Sequence, residues 1–245
     1  MEKENQFWPR QKSSPLLFWT GSLIGLAIIG FVVTLGVLLA LWLFGGVPVA
    51  HAAETTIPRA ALQYRAQLTR EARAVWGMDA PVAIFAAQIH TESWWRNDTV
   101  SSVGAQGLAQ FMPSTAAWLP GVAPEVGKPR PFSPAWSLRA CVTYDKWLHD
   151  RLRPMRAASL AVCERMAFTL SAYNGGIGWV GKDRALAART GRNPDRWFGH
   201  VSDVNAGRNK SAIKENRRYV ALIFERQSAY IAAGWGPGVS CVEAP

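Results

Sequence analysis

The chain has 245 residues, with 27 Lys and Arg against 17 Asp and Glu, for a net charge of +10. That length holds one domain beside a separate apolar segment, and the basic balance draws the chain to anionic surfaces. Four His and three Cys without CxxC or HExxH spacing exclude a motif-type metal site. No Walker or dinucleotide-type glycine loop occurs, so no cofactor is expected and nucleotide chemistry is set aside.

Residues 1–15 form a short N-terminus carrying Lys3, Arg10 and Lys12, a modest bias toward the cytoplasm. Residues 16–46 are predicted to form a transmembrane signal anchor: no charge falls between Ser13 and Ala50, and at about 1.5 Å per residue the run exceeds a bilayer core of about 30 Å. Ala50-His51-Ala52 resembles an A-x-A cleavage site, which leaves cleavage to a soluble periplasmic form as an alternative. Glycines 21, 25, 30 and 36 suggest a third option, a releasable phage-type anchor, against which the hydrophobicity of the segment argues. Residues 47–57 read as a linker and 58–234 as one mainly α domain, because no run of alternating β-branched residues appears.

Within the domain, a helix is predicted from about 59 to 76, ending at Gly77. Asp79 and Pro81 start the next, whose apolar positions Val82, Phe85, Ala86 and Ile89 share one face that Glu92 continues. A carboxylate at the edge of a buried stripe, near a helix C-terminus, has its charged form disfavoured by desolvation and by the helix dipole. Its raised pKa suits a general acid working near neutral pH. His90, two residues earlier, points to another side and reads as structural or surface. Trp94, Trp95 and, further on, Trp179 are weaker candidates for shielding the acid or stacking on a ligand. After Glu92 come Ser101, Gly104-Ala105, Gly107-Leu108, Gln110 and Met112-Pro113; the glycines permit tight turns, and Gln110 offers both a donor and an acceptor.

Six prolines between Pro113 and Pro134 predict a loop without regular structure. Helices follow at about 137–152, 158–173 and 211–233. The second carries Cys163, Met166, Ala167 and Leu170 on one stripe and stops at Asn174-Gly175-Gly176. Residues 235–245 form a Gly/Pro-rich tail, where a staple would help most, so Cys241 is expected to pair with Cys163 rather than Cys141.

The run from Gln88 to Pro113 closely resembles the signature of the soluble lytic transglycosylase (SLT) family of the lysozyme-like superfamily. Ser171-Ala172-Tyr173-Asn174-Gly175-Gly176 resembles its AYNAG motif, with glycine for the usual Ala, and Glu215 to Val220 resembles its ETRxYV helix. The resemblance implies a lysozyme-like α-helical domain that cleaves the MurNAc-GlcNAc β-1,4 bond of peptidoglycan and leaves 1,6-anhydromuramoyl ends. Glu92 becomes the single acid and base, and Ser101, Gln110, Met112, Tyr173, Asn174 and Glu215 become substrate-binding, with the Tyr173 phenol facing the acid. Ala109 stands where the family more often has Met.

The nearby Asp98 lies outside the matched positions, so the paired carboxylates of ordinary glycosidases are missing. The expected partners are glycan strands and, through the N-terminal helix, the inner membrane, with the domain in the periplasm. Envelope secretion, conjugation or phage machinery is a further partner class; nucleic acid is set aside because the N-terminal apolar segment reads as an export signal. Two rival readings are a lysozyme-type hydrolase of the same bond and a non-catalytic glycan-binding component of an envelope machine.

Overall fold

A computed structural model describes residues 56–241. The predicted N-terminus, anchor and cleavage site, and all but the last residues of the linker, lie outside them. Among the described residues no helix is long and apolar enough to cross a membrane.

The described chain is mainly α, as expected. A 3-10 turn, Arg59–Tyr64, leads into α1, Arg65–Trp76; α2 is Val82–Ser93, α3 Pro113–Trp118, α4 Pro134–Arg151, α5 Val162–Gly175, α6 Ile177–Arg189 and α7 Lys210–Ala232. No β-strand is present among the described residues, where pairing is limited to isolated bridges of Val100 with Gln106 and Gln106 with Phe111.

α2 is the central element. Every residue from Val82 to His90 is buried, so the helix is covered around its circumference and not on one stripe alone. It packs chiefly on α7, while α4 lies against α1 and α5, and α5 against α6 and α7. Two ties fix α1 to α4: Arg139 pairs with Glu71 at 2.8 Å, and the Trp76 indole donates to the Val142 carbonyl at 2.8 Å.

The end of α2 is enforced. Trp94 and Trp95 both adopt left-handed backbone, φ 55° and 63°, a conformation costing about 1–2 kcal/mol for an L residue. Trp95 offsets that cost by burial: its ring stacks on Tyr64 at 5.8 Å and its indole donates to Tyr230 Oη at 2.7 Å. The sharp stop leaves Glu92 in the last turn, at the surface of the core.

Two sequence readings are corrected. The proline-rich stretch contains α3 and two 3-10 turns, because Pro113, Pro120 and Pro124 occupy first-turn positions where the missing N–H costs nothing. α6 was not predicted: Gly176, at φ 90°, ends α5 and also opens α6 without a connecting loop.

The presumed tail packs as part of the domain. Trp235 and Val239 are buried, Gln227 exchanges two hydrogen bonds with the Val239 backbone at 2.8 and 2.9 Å, and Cys241 is joined to Cys163. Cys141 is free and buried.

Candidate active site

The end of α2, the 101–112 segment, the end of α5 and the early turns of α7 enclose a cavity of about 490 Å³. Glu92, Ser101, Gln110, Met112, Tyr173, Asn174 and Glu215 all line it, so the residues singled out in three separate sequence blocks meet on one wall system. Tyr144, Arg218, Tyr219 and Leu222 complete it among others.

Glu92 keeps a partly exposed edge toward the cavity, but protein atoms crowd its carboxyl group. Burial pushes its pKa up to about 8; the hydrogen bond from Tyr219 pulls the other way, and the nearby Glu215 charge adds to the rise. Tyr219, almost fully buried, donates to Glu92 Oε1 at 2.6 Å. Oε2 is therefore the oxygen left to carry and release a proton.

The hydroxyl that orients the acid thus belongs to Tyr219, not to Tyr173. Tyr173 donates to the Ala109 carbonyl at 2.8 Å and presents its ring to the cavity, packed against Tyr144 at 5.3 Å and Phe111 at 5.9 Å. The sequence carried a signal for Tyr219, one helical turn after Glu215 in the third block. What it did not carry was the approach of α7 to α2.

The cavity floor is built from backbone. Gly107, at φ 74°, lies so close to the Pro131 carbonyl that an added Cβ would overlap its oxygen. Gln110, itself left-handed at φ 47°, donates its amide to the carbonyls of Gly107 at 2.8 Å and Thr99 at 3.2 Å. Its donor is therefore spent on the loop, and its carbonyl oxygen is what remains for a ligand, which corrects the expectation of donor and acceptor together. Ser101 Oγ accepts from Ala105 N at 2.9 Å and retains its own proton to donate. Met112 is 39% exposed, so it is a wall residue and not core filler. We expect Gly107→Ala to destabilise the domain by at least about 2 kcal/mol, from left-handed backbone plus the overlap; urea unfolding measures this, and an unchanged midpoint would refute the close approach.

The α7 wall is held by an amide clip and an ion network. Asn216, fully buried, donates to the Ser171 carbonyl at 2.9 Å and to Asn174 Oδ1 at 2.9 Å, and accepts from Ser171 Oγ at 2.8 Å. Asn174 is left with its N–H₂ to offer. Asp183 on α6, fully buried, takes Arg208 at 2.5 Å and Arg217 at 2.8 Å. Removing one partner of such a buried set is costly because a charge is left unpaired.

Beneath Glu92 lies a second acid that sequence reasoning missed. Asp145 on α4 is fully buried, with Gln88 Nε2 at 3.4 Å and the Cys141 thiol at 3.9 Å, and burial raises its pKa well above the carboxylate range.

The remaining candidates fall elsewhere. Trp94, half exposed, sits under Arg226 at 5.2 Å; Trp95 is in the core; Trp179 is covered by Lys182 at 4.3 Å; none lines the cavity. His90 is fully buried, with its ring edge-on to Trp94 at 4.6 Å, and burial lowers its pKa to about 4, a structural role. Among the described residues no cluster of His, Cys, Asp and Glu is arranged to hold a metal ion.

A family model described as Transglycosylase SLT domain matches residues 69–195. The chain belongs to this family. Among similar proteins, Membrane-bound lytic murein transglycosylase F of Maricaulis maris (strain MCS10) is 34% identical over 114 residues, 46% of this chain and 23% of that protein. The protein of the same name from Haemophilus influenzae (strain PittGG) is 29% identical over 149 residues, 61% of this chain and 27% of the other. The chain thus matches about a quarter of the length of these relatives. The crystal structure of the 70 kDa soluble lytic transglycosylase SLT70 from Escherichia coli matches with a TM-score of 0.48 and 21% identity, over 71% of this chain and 25% of that one. The SLT match spans α2, the cavity floor and α5, whereas Glu215, Arg218 and Tyr219 lie beyond its last residue.

Proposed function

We infer that this chain is a lytic transglycosylase of peptidoglycan, with a lysozyme-like domain held at the outer face of the inner membrane by its N-terminal apolar segment. The observation that carries the reading is a cavity-facing Glu92 with its pKa pushed up to about 8 and one carboxyl oxygen fixed by Tyr219. Protonated near neutrality, Glu92 gives its proton from Oε2 to the glycosidic oxygen between MurNAc and GlcNAc, and that bond breaks. The resulting carboxylate, stabilised by the Tyr219 hydrogen bond, takes the proton of the muramoyl C6 hydroxyl as O6 bonds to C1. The product is a 1,6-anhydromuramoyl end, and the acid is restored. Ser101, the carbonyl of Gln110, Met112, the Tyr173 ring, Asn174 and Glu215 position the sugars.

Lysozyme-type hydrolysis is the second reading, and Glu215 in the same cavity favours it by supplying another carboxylate. Mass spectrometry of muropeptides released from purified sacculi separates the two: anhydro ends support transglycosylation, and reducing ends transfer the protein to the hydrolases. A non-catalytic glycan-binding component would require no acid with a raised pKa.

The pH dependence follows from the same geometry. Cleavage needs protonated Glu92, so the rate should fall as pH rises through about 8. Tyr219→Phe removes a bond that favours the carboxylate and should move this limb to higher pH; Glu215→Gln removes a like charge and should move it lower. Rate profiles of the two variants that shift together, or not at all, would remove Glu92 as the titrating acid.

A further inference from the structure

Arg218 is the one basic residue among those lining the cavity. Residues 215, 218, 219 and 222 share a face of α7. Tyr219 is committed to Glu92 and Leu222 is apolar, while Glu215 and Arg218 are exposed. Arg217, next along the chain, is consumed by Asp183, Asn216 and the carbonyls of Val201, Ser202 and Val204. Arg218 makes no hydrogen bond or ion pair with a described residue, although Glu215 stands only three positions before it. Arg226, two turns on and held by Thr91 Oγ1 at 2.9 Å, is close enough for the two positive charges to disfavour each other. A guanidinium left unpaired at the rim of a ligand cavity, beside a second cation, is placed to receive an anion.

The sugar rings of the substrate proposed above are uncharged; its anions are carboxylates, on the peptide stems attached to the muramoyl lactyl groups or on lactyl groups that lack a stem. Planar, two-pronged donation from arginine matches a carboxylate better than the compact ammonium of lysine does. Resting on that reading, we propose that Arg218 binds a carboxylate of the peptide stem, so that the enzyme distinguishes stem-bearing from stem-free glycan.

The test measures binding by calorimetry, in a full-length Glu92→Gln background so that nothing is cleaved. Three soluble glycans serve as ligands: one with intact stems, one with stem carboxylates converted to amides, and one stripped of stems and so carrying free lactyl carboxylates. Arg218→Gln should weaken binding of the first by about tenfold or more, as expected for one charge-assisted contact. It should leave the other two unchanged. Arg218→Lys should recover only part of the loss. A loss confined to the stripped glycan would assign the contact to the lactyl group; equal losses on all three, or none, would overturn the proposal as well. Should the parent bind none of the glycans, the glycan reading itself falls; normal binding by the parent without an Arg218 effect removes this inference alone.

Discussion

Glu92→Gln should abolish cleavage of sacculi while leaving glycan binding intact. The amide preserves size and polarity but cannot deliver or retrieve a proton. General acid or base assistance is typically worth about 100- to 10,000-fold, and here both transfers fall to one group, so the loss should reach at least the upper part of that range. Stability should move the opposite way. A carboxyl whose folded pKa lies near 8, against an ordinary 4.5, contributes stability that is fully present below about 4.5 and lost as pH rises through about 8. The neutral amide escapes that loss, so the variant's melting temperature should exceed the parent's at pH 9, with the gap closing as the pH is lowered. Equal turnover by the variant would remove Glu92 from catalysis; an equal melting temperature at pH 9 would mean the carboxyl group is not desolvated.

Loss of the Cys163–Cys241 bond, through Cys241→Ser or reduction, should cost about 4 kcal/mol from the entropy of the closed loop alone, given a separation of 78 residues. The bond anchors the 235–241 segment, whose Trp235 packs on Trp95 and Tyr230 and whose Val239 is held by Gln227 of α7. Disulfide exchange is not expected to rescue it. Cys141 is fully buried, and burial holds its thiol pKa well above the usual range, so it supplies no thiolate. Urea unfolding of oxidised parent and variant measures the difference, and coincident midpoints would show that the cross-link is dispensable.

Local chemistry was legible in the sequence, and long-range approach was not. Glu92 could be picked out as an acid at the end of an apolar helix, whereas Ser101, Gln110 and Met112 were marked by the resemblance of one short, ungapped stretch to the SLT signature. Tyr219 was visible as a helix neighbour of Glu215, yet its bond to Glu92 spans 127 positions and exists only because α7 packs on α2. Asp145 was hidden for a related reason. An acid on a helix that also carries Lys146 and Asp150 reads as solvent-facing, and nothing local announces that it points inward. The prolines misled because they were counted as breakers, when several sit in first turns where they pre-set the backbone. The Gly175-Gly176 pair did end a helix, but a helix end need not begin a loop.

The Tyr219 hydrogen bond gives the acid a direction. With Oε1 occupied, a single oxygen must serve both halves of the proposed reaction, so the departing oxygen and the incoming one have to approach from the same side of the sugar ring. In a β-linked muramoyl residue the C6 arm projects from the face that carries the glycosidic bond, and its hydroxyl meets that condition. A water attacking from the opposite face would lie beyond the reach of Oε2. On this geometry, the oxygen that the tyrosine leaves free selects attack on the face of the departing bond, whether by the C6 hydroxyl or by a water entering there, and lengthening or removing that phenol should erode stereochemical control before it abolishes bond cleavage.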